Sequence, residues 1–161
     1  MITMLADGGV ALGSMADYLG FLLRMSQVEA FKRVINDGDM SEAKLGELSI
    51  LRVIDLNPGI RQGVLARTLR IKRANMTKLV RQMETQEFVR STIPSEDRRS
   101  AELWLTDTGK AWLELYWPEI YVREQSVEVG LTVKELDVLK GLLRRYLSFS
   151  EAYIAMEKLT P

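Results

Sequence analysis

IPSEDRRSAELWLTDTGK, residues 93–110, packs a charged turn, a strand and a helix start into one short stretch. Residues 88–93 just before it are rich in β-formers. Residues 94–99 are polar and turn-like with four charges, and Ala101, Leu103 and Leu105 alternate with Glu102 and Trp104 at period two. This pattern predicts two strands joined by a charged tip. Thr106 then offers a hydroxyl as a helix N-cap, and Asp107 places a negative charge where the helix dipole favours it. Residues 111–116 carry the helix onward. The second strand is therefore expected to run straight into a long helix.

The segment upstream supplies a partner for this hairpin. Asn57-Pro58-Gly59 is a strong turn signal that ends a helix carrying Leu48, Leu51 and Ile54. Val64, Leu65, Thr68 and Leu69 predict a short amphipathic helix, and a tight turn at residues 70–72 leads to another. In that third helix Met76, Leu79, Val80 and Met83 fall at i, i+3, i+4 and i+7, which turns Ala74, Thr77, Lys78 and Arg81 to the opposite face. An apolar inner face with a small and basic outer one suits a helix that enters the major groove of DNA.

Charge supports the same reading. The chain balances 22 basic against 22 acidic residues, yet residues 60–100 hold ten Lys and Arg against four acids, a local +6 offset by −6 elsewhere. A solvated helix face is the competing explanation. The coincidence of the cluster with a hairpin and a recognition-type helix disfavours it.

Residues 45–115 resemble the core of the MarR-type regulators. The similarity is carried by LRVIDLNPGIRQGVLARTLRI, by KRANMTKLVRQMETQEFV and by the wing signature DRRSAELWLTDTGK, with Asp97 and Arg99 as a D-x-R pair and Leu105, Thr106 and Gly109 following. The resemblance implies a mainly α fold with a two-stranded β wing, a winged helix-turn-helix DNA-binding lobe and a helical dimerisation region. It also implies a homodimer on a pseudo-palindromic operator of double-stranded DNA. Lys72, Arg73, Ala74, Asn75, Thr77, Lys78 and Arg81 would face the major groove, and Asp97, Arg98 and Arg99 the minor groove, Asp97 orienting Arg99 through a charge-assisted hydrogen bond. Three departures stand out. Arg70 and Glu87 occupy tight-turn positions where relatives often carry Gly, and Pro118 falls inside an expected long helix that it should kink or interrupt.

Composition sets outer bounds. The length suits one domain, 47% hydrophobic residues are ample for a core, and no apolar run approaches the roughly 20 residues of a membrane span. Residues 1–15, MITMLADGGVALGSM, lack a basic n-region and carry Asp7, so they read as a flexible arm rather than a secretion signal, and a cytoplasmic location follows. With no cysteine and no histidine, the chain has no thiol switch, no disulfide, no Cys-rich zinc site and no histidine-based triad. Acidic pairs such as Glu42 with Glu47 or Glu124 with Glu128 read as surface charges, and neither an enzyme nor a cofactor is expected.

The expected organisation is an arm at 1–15, an N-terminal dimerisation helix region at 16–44, the DNA-binding lobe at 45–110 and C-terminal dimerisation helices at 111–161. Phe21, Arg24, Val28, Phe31 and Ile35 form one stripe of a helix over residues 17–36. Thr132 and Glu135 form a capping box opening a helix with Leu136, Leu139, Leu142, Leu143 and Leu147. Family resemblance further implies a small-molecule effector, often phenolic or otherwise anionic and aromatic, bound between the dimer helices and the DNA-binding lobe. Tyr18, Phe31, Trp112, Tyr116 and Trp117 could line that site, although aromatics at helical spacing also serve as core or dimer contacts. Arg24 and Arg52 interrupt apolar runs and offer a charge for an anionic ligand, with pairing to an acid across the dimer as the alternative. A winged-helix module that binds protein rather than DNA remains the competing function.

Overall fold

In the computed structural model, residues 9–35, 42–93, 101–126 and 130–149 are described. A 3-10 turn at Gly13–Asp17 precedes α1 (Leu19–Ile35), α2 (Glu42–Leu56), β1 (Ile60–Arg61), α3 (Gln62–Thr68) and α4 (Arg73–Thr85). β2 (Val89–Thr92), β3 (Glu102–Leu105), α5 (Asp107–Ser126) and α6 (Val133–Tyr146) complete the order. Two units partition the chain, Met1–Ser126 and Val127–Pro161.

The core of the first unit gathers Leu48, Ile50, Leu51 and Ile54 from α2, Leu65 and Ala66 from α3, and Met76, Val80 and Met83 from α4. Val89, Leu103 and Leu113 close it from the sheet and from α5. The i, i+4, i+7 spacing of Met76, Val80 and Met83 is the reason for the register of α4, because these three positions alone share its inner face. Leu79, on the edge of that stripe, is half-buried.

The wing hairpin forms as expected, with Val89 opposite Leu105 and Thr92 opposite Glu102. A third strand joins it. Ile60 and Arg61 pair with Leu103 and Glu102, so the sheet is three-stranded in the order β1-β3-β2 rather than a two-stranded ribbon alone. The turn before β1 produces this pairing: Gly59 holds φ +79° and donates its N–H to the Leu103 carbonyl at 2.9 Å. A Cβ on Gly59 would lie 2.9 Å from the Trp104 ring, so the turn needs glycine for its φ and for its packing. Two residues carry too short a period to announce a strand.

Arg70 and Glu87 adopt φ of +54° and +59°, the left-handed region that favours glycine. Each closes the same terminating motif, Ile71 N–H to Ala66 carbonyl at 2.9 Å after α3 and Phe88 N–H to Met83 carbonyl at 2.9 Å after α4. At the start of α5, Thr106 accepts from the Gly109 N–H at 3.0 Å as the expected N-cap, and its hydroxyl donates to the Glu87 carbonyl. Pro118 lies within α5, which continues through to Ser126 without the expected interruption. The carbonyl that loses its partner belongs to Glu114, an exposed residue, so water can satisfy it. In the second unit, Thr132 and Glu135 make the expected capping box of α6.

Candidate nucleic-acid interface and adjoining aromatic site

The order of α3, a tight turn and α4 is a helix-turn-helix, and α4 divides along its length. Met76, Val80 and Met83 are buried, whereas Arg73, Ala74, Asn75, Lys78 and Arg81 are exposed, with Lys72 exposed at the N-cap. Thr77 differs from its neighbours. It is half-buried, accepts from Gln62 Nε2 at 2.9 Å and donates to the Arg73 carbonyl at 3.0 Å. Asp97, Arg98 and Arg99 lie outside the described residues.

At the wing's base the Arg90 guanidinium stacks over Trp104, 5.3 Å from the ring centroid, and Trp104 Nε1 donates to Thr92 at 3.2 Å. Neither partner stood out in the sequence, because a cross-strand pair is visible only once the register is known.

A second cluster lies where α5 meets α2 and the strand end. Phe88 stacks on Trp112 with centroids 5.0 Å apart, and Trp112 meets Tyr116 at the same separation. Lys44 approaches Tyr116, and Arg52 lies over Trp117 at 5.4 Å. Arg52 pairs with Asp55 at 3.0 Å within its own helix, so one acidic partner is supplied locally. Its Nε is buried and has no hydrogen-bond partner among the described residues. The structure thus brings Arg52, Trp112, Tyr116 and Trp117 to one region. Phe31 is half-buried on α1, while Tyr18, 67% exposed, and Arg24 are on the surface.

Sequence reasoning missed Lys44 and Phe88, and its reading of Glu47 as a surface charge is overturned. Glu47 is buried, accepts from Gln82 Nε2 of α4 at 2.8 Å, and burial raises its pKa, with Lys44 pulling it partly back. Its only sequence signal is a carboxylate between apolar neighbours, Leu45 and Leu48. Among the described residues no cluster of three or more acidic, histidine or cysteine side chains could hold a metal, and no helix is long and apolar enough to cross a membrane.

Fold and interface together define a winged helix-turn-helix protein. The sequence model of the MarR family matches residues 44–101. A Thauera aromatica protein described as a transcriptional regulatory protein for the hcr operon is 35% identical over 135 residues, covering 83% of this chain and 81% of that one. The chain therefore belongs to the MarR family. Among solved structures, the transcriptional repressor CouR bound to a 23-mer DNA duplex superposes with a TM-score of 0.72 at 27% identity, covering 84% of this chain and 96% of that one. CouR bound to p-coumaroyl-CoA gives 0.71 at 24% identity, with 86% and 98% covered.

Proposed function

We propose that this MarR-family chain acts in the cytoplasm as a homodimeric transcriptional repressor whose grip on a pseudo-palindromic operator is modulated by a small anionic aromatic ligand. The division of α4 carries the reading: Met76, Val80 and Met83 anchor the helix inward and leave Ala74, Asn75, Lys78 and Arg81 for the major groove, flanked by Lys72 and Arg73. Thr77 borders that face, and Asp97, Arg98 and Arg99 are assigned to the minor groove. CouR, a 27% identical relative solved on DNA, supports the assignment. Exposed apolar side chains on α1 (Leu19, Leu22, Met25) and on α6 (Val138, Leu139, Leu142) supply surface for a homodimer.

For the ligand, Arg52 offers a guanidinium beside Trp117, its Nε unsatisfied among the described residues, near the Phe88–Trp112–Tyr116 stack. A carboxylate or thioester of a phenolic acid fits that chemistry, as the p-coumaroyl-CoA complex of CouR also suggests. Titrating aromatic acids and their coenzyme A thioesters against tryptophan fluorescence tests it. Saturable quenching should weaken by at least about tenfold, ~1.4 kcal/mol, in Arg52→Met but not in the surface variant Arg24→Met. Equal affinity in the parent and both variants would make Arg52 structural and remove the anionic ligand from the proposal.

A further inference from the structure

Between β1, α3 and α4 lies a cleft of about 410 Å³ lined by Arg61, Gln62, Ala66, Arg67, Arg73 and Thr77 among others. None of its lining side chains is acidic or aromatic. Arg67 and Arg73 are exposed and make no ion pair among the described residues. Three guanidinium groups around one open cleft raise the local potential for an anion, and the lack of any ring platform argues against an aromatic acid.

We propose that this cleft is a seat for one phosphodiester of the DNA backbone, with Arg61, Arg67 and Arg73 as its cationic wall. Gln62 serves as the positioning residue that ties the seat to the base-reading helix. The inference rests on the DNA-binding reading above and deepens it. A diester fits better than a free metabolite because the cleft is open and adjoins the exposed face of α4: Arg73 and Thr77, one turn apart on that helix, form its wall.

The Gln62 side chain gives the seat its meaning. Gln62 is the first residue of α3, and its Nε2 donates to Thr77 Oγ1 at 2.9 Å. Since that oxygen also donates to the Arg73 carbonyl, the Thr77 hydroxyl has spent its only proton and its rotamer is held. A phosphate gripped by Arg67 and Arg61 is thereby placed at a fixed offset from Thr77 and its exposed neighbours. Phosphate contacts position a protein on the duplex and base contacts specify the sequence. Here one hydrogen bond links the two.

The test uses a duplex selected from a random pool for binding the full-length parent, with an unrelated duplex as control, in fluorescence anisotropy titrations over a range of salt. Arg61→Gln and Arg67→Gln combined should make the slope of log affinity against log salt shallower by roughly 0.9, and each alone should make it measurably shallower. Both duplexes should weaken by the same factor, the melting temperature should hold, and Arg67→Lys should restore the slope. Gln62→Leu should leave the slope intact and shrink the ratio of selected to unrelated affinity. A neutral methylphosphonate scanned along the selected duplex should weaken the parent at one position per half-site, and the same substitution should cost Arg67→Gln less than it costs the parent. Unchanged slopes in both arginine variants, or a methylphosphonate penalty as large in Arg67→Gln as in the parent, would overturn the seat. Inorganic phosphate that raises the melting temperature of the parent but not of Arg67→Gln, with DNA slopes unchanged, would assign the cleft to a free anion and also overturn it. A parent that binds no duplex at any salt would instead sink the DNA-binding reading itself.

Discussion

Gly109 carries no functional group, yet the fold depends on it: a Cβ there would lie 2.1 Å from the Phe88 carbonyl oxygen, a backbone atom that cannot swing away. That carbonyl also accepts the Thr106 N–H at 3.1 Å, which docks the start of α5 on the strand entrance. Gly109→Ala must push the two segments apart and should lower stability by about 2 kcal/mol or more, read as a fall of several degrees in melting temperature. A variant melting with the parent would refute this close approach. Glu47 makes a subtler case. Its pKa is raised, so its contribution favours folding while the carboxyl is protonated, at pH below 4.5, and is lost as pH climbs through the raised value. At neutral pH the ionised group carries a burial penalty. Glu47→Gln keeps an acceptor for Gln82 and removes the charge, so it should be neutral or stabilising by up to about 1 kcal/mol at pH 7, with the gap closing as pH falls. Destabilisation at pH 7 would mean that Lys44 outweighs burial.

Elements whose signals are local were legible in the sequence. The α4 register follows from apolar spacing, the wing from alternation around a charged turn, and the starts of α5 and α6 from Thr106 and Thr132. What escaped depends on tertiary pairing. β1 is two residues that become a strand only because Gly59 delivers them to Leu103, and Gln62 finds Thr77 fifteen residues away. The uninterrupted α5 could not be foreseen because tolerance of Pro118 depends on how Glu114 is exposed. The positions at Arg70 and Glu87 were legible as oddities, and the structure gives them a quantity to test. Each holds an L-residue at positive φ, at a cost of roughly 1–2 kcal/mol, of which glycine gives back up to 1 through its freer unfolded chain. Glu87→Gly should therefore stabilise by as much as about 1 kcal/mol in chemical denaturation. A loss of stability would show that the Glu87 side chain does more than occupy the turn. Along α4 itself, Met76→Ala should cost about 2–5 kcal/mol because Met76 is fully buried, whereas Arg81→Ala should melt like the parent and alter binding only. The reverse pattern would place the helix in the wrong rotation.

Across the whole molecule, equal totals of acid and base conceal a separation in which the helix-turn-helix and wing hold the positive excess. A balanced chain with a basic lobe meets a polyanion in one orientation and repels it in others, which suits a regulator that must read sequence rather than merely adhere to nucleic acid. Membership of the MarR family and the CouR superposition agree with that distribution. The measurement that tests the central claim most directly is the affinity of the parent protein for a selected pseudo-palindromic duplex and for an unrelated one as salt rises from about 50 to 200 mM. Sequence-specific recognition through α4 and the wing predicts a steep linear fall of log affinity with log salt and a preference for the selected duplex of about 10³ or more. A flat salt response with no preference would contradict it and leave the fold as a surface for protein partners.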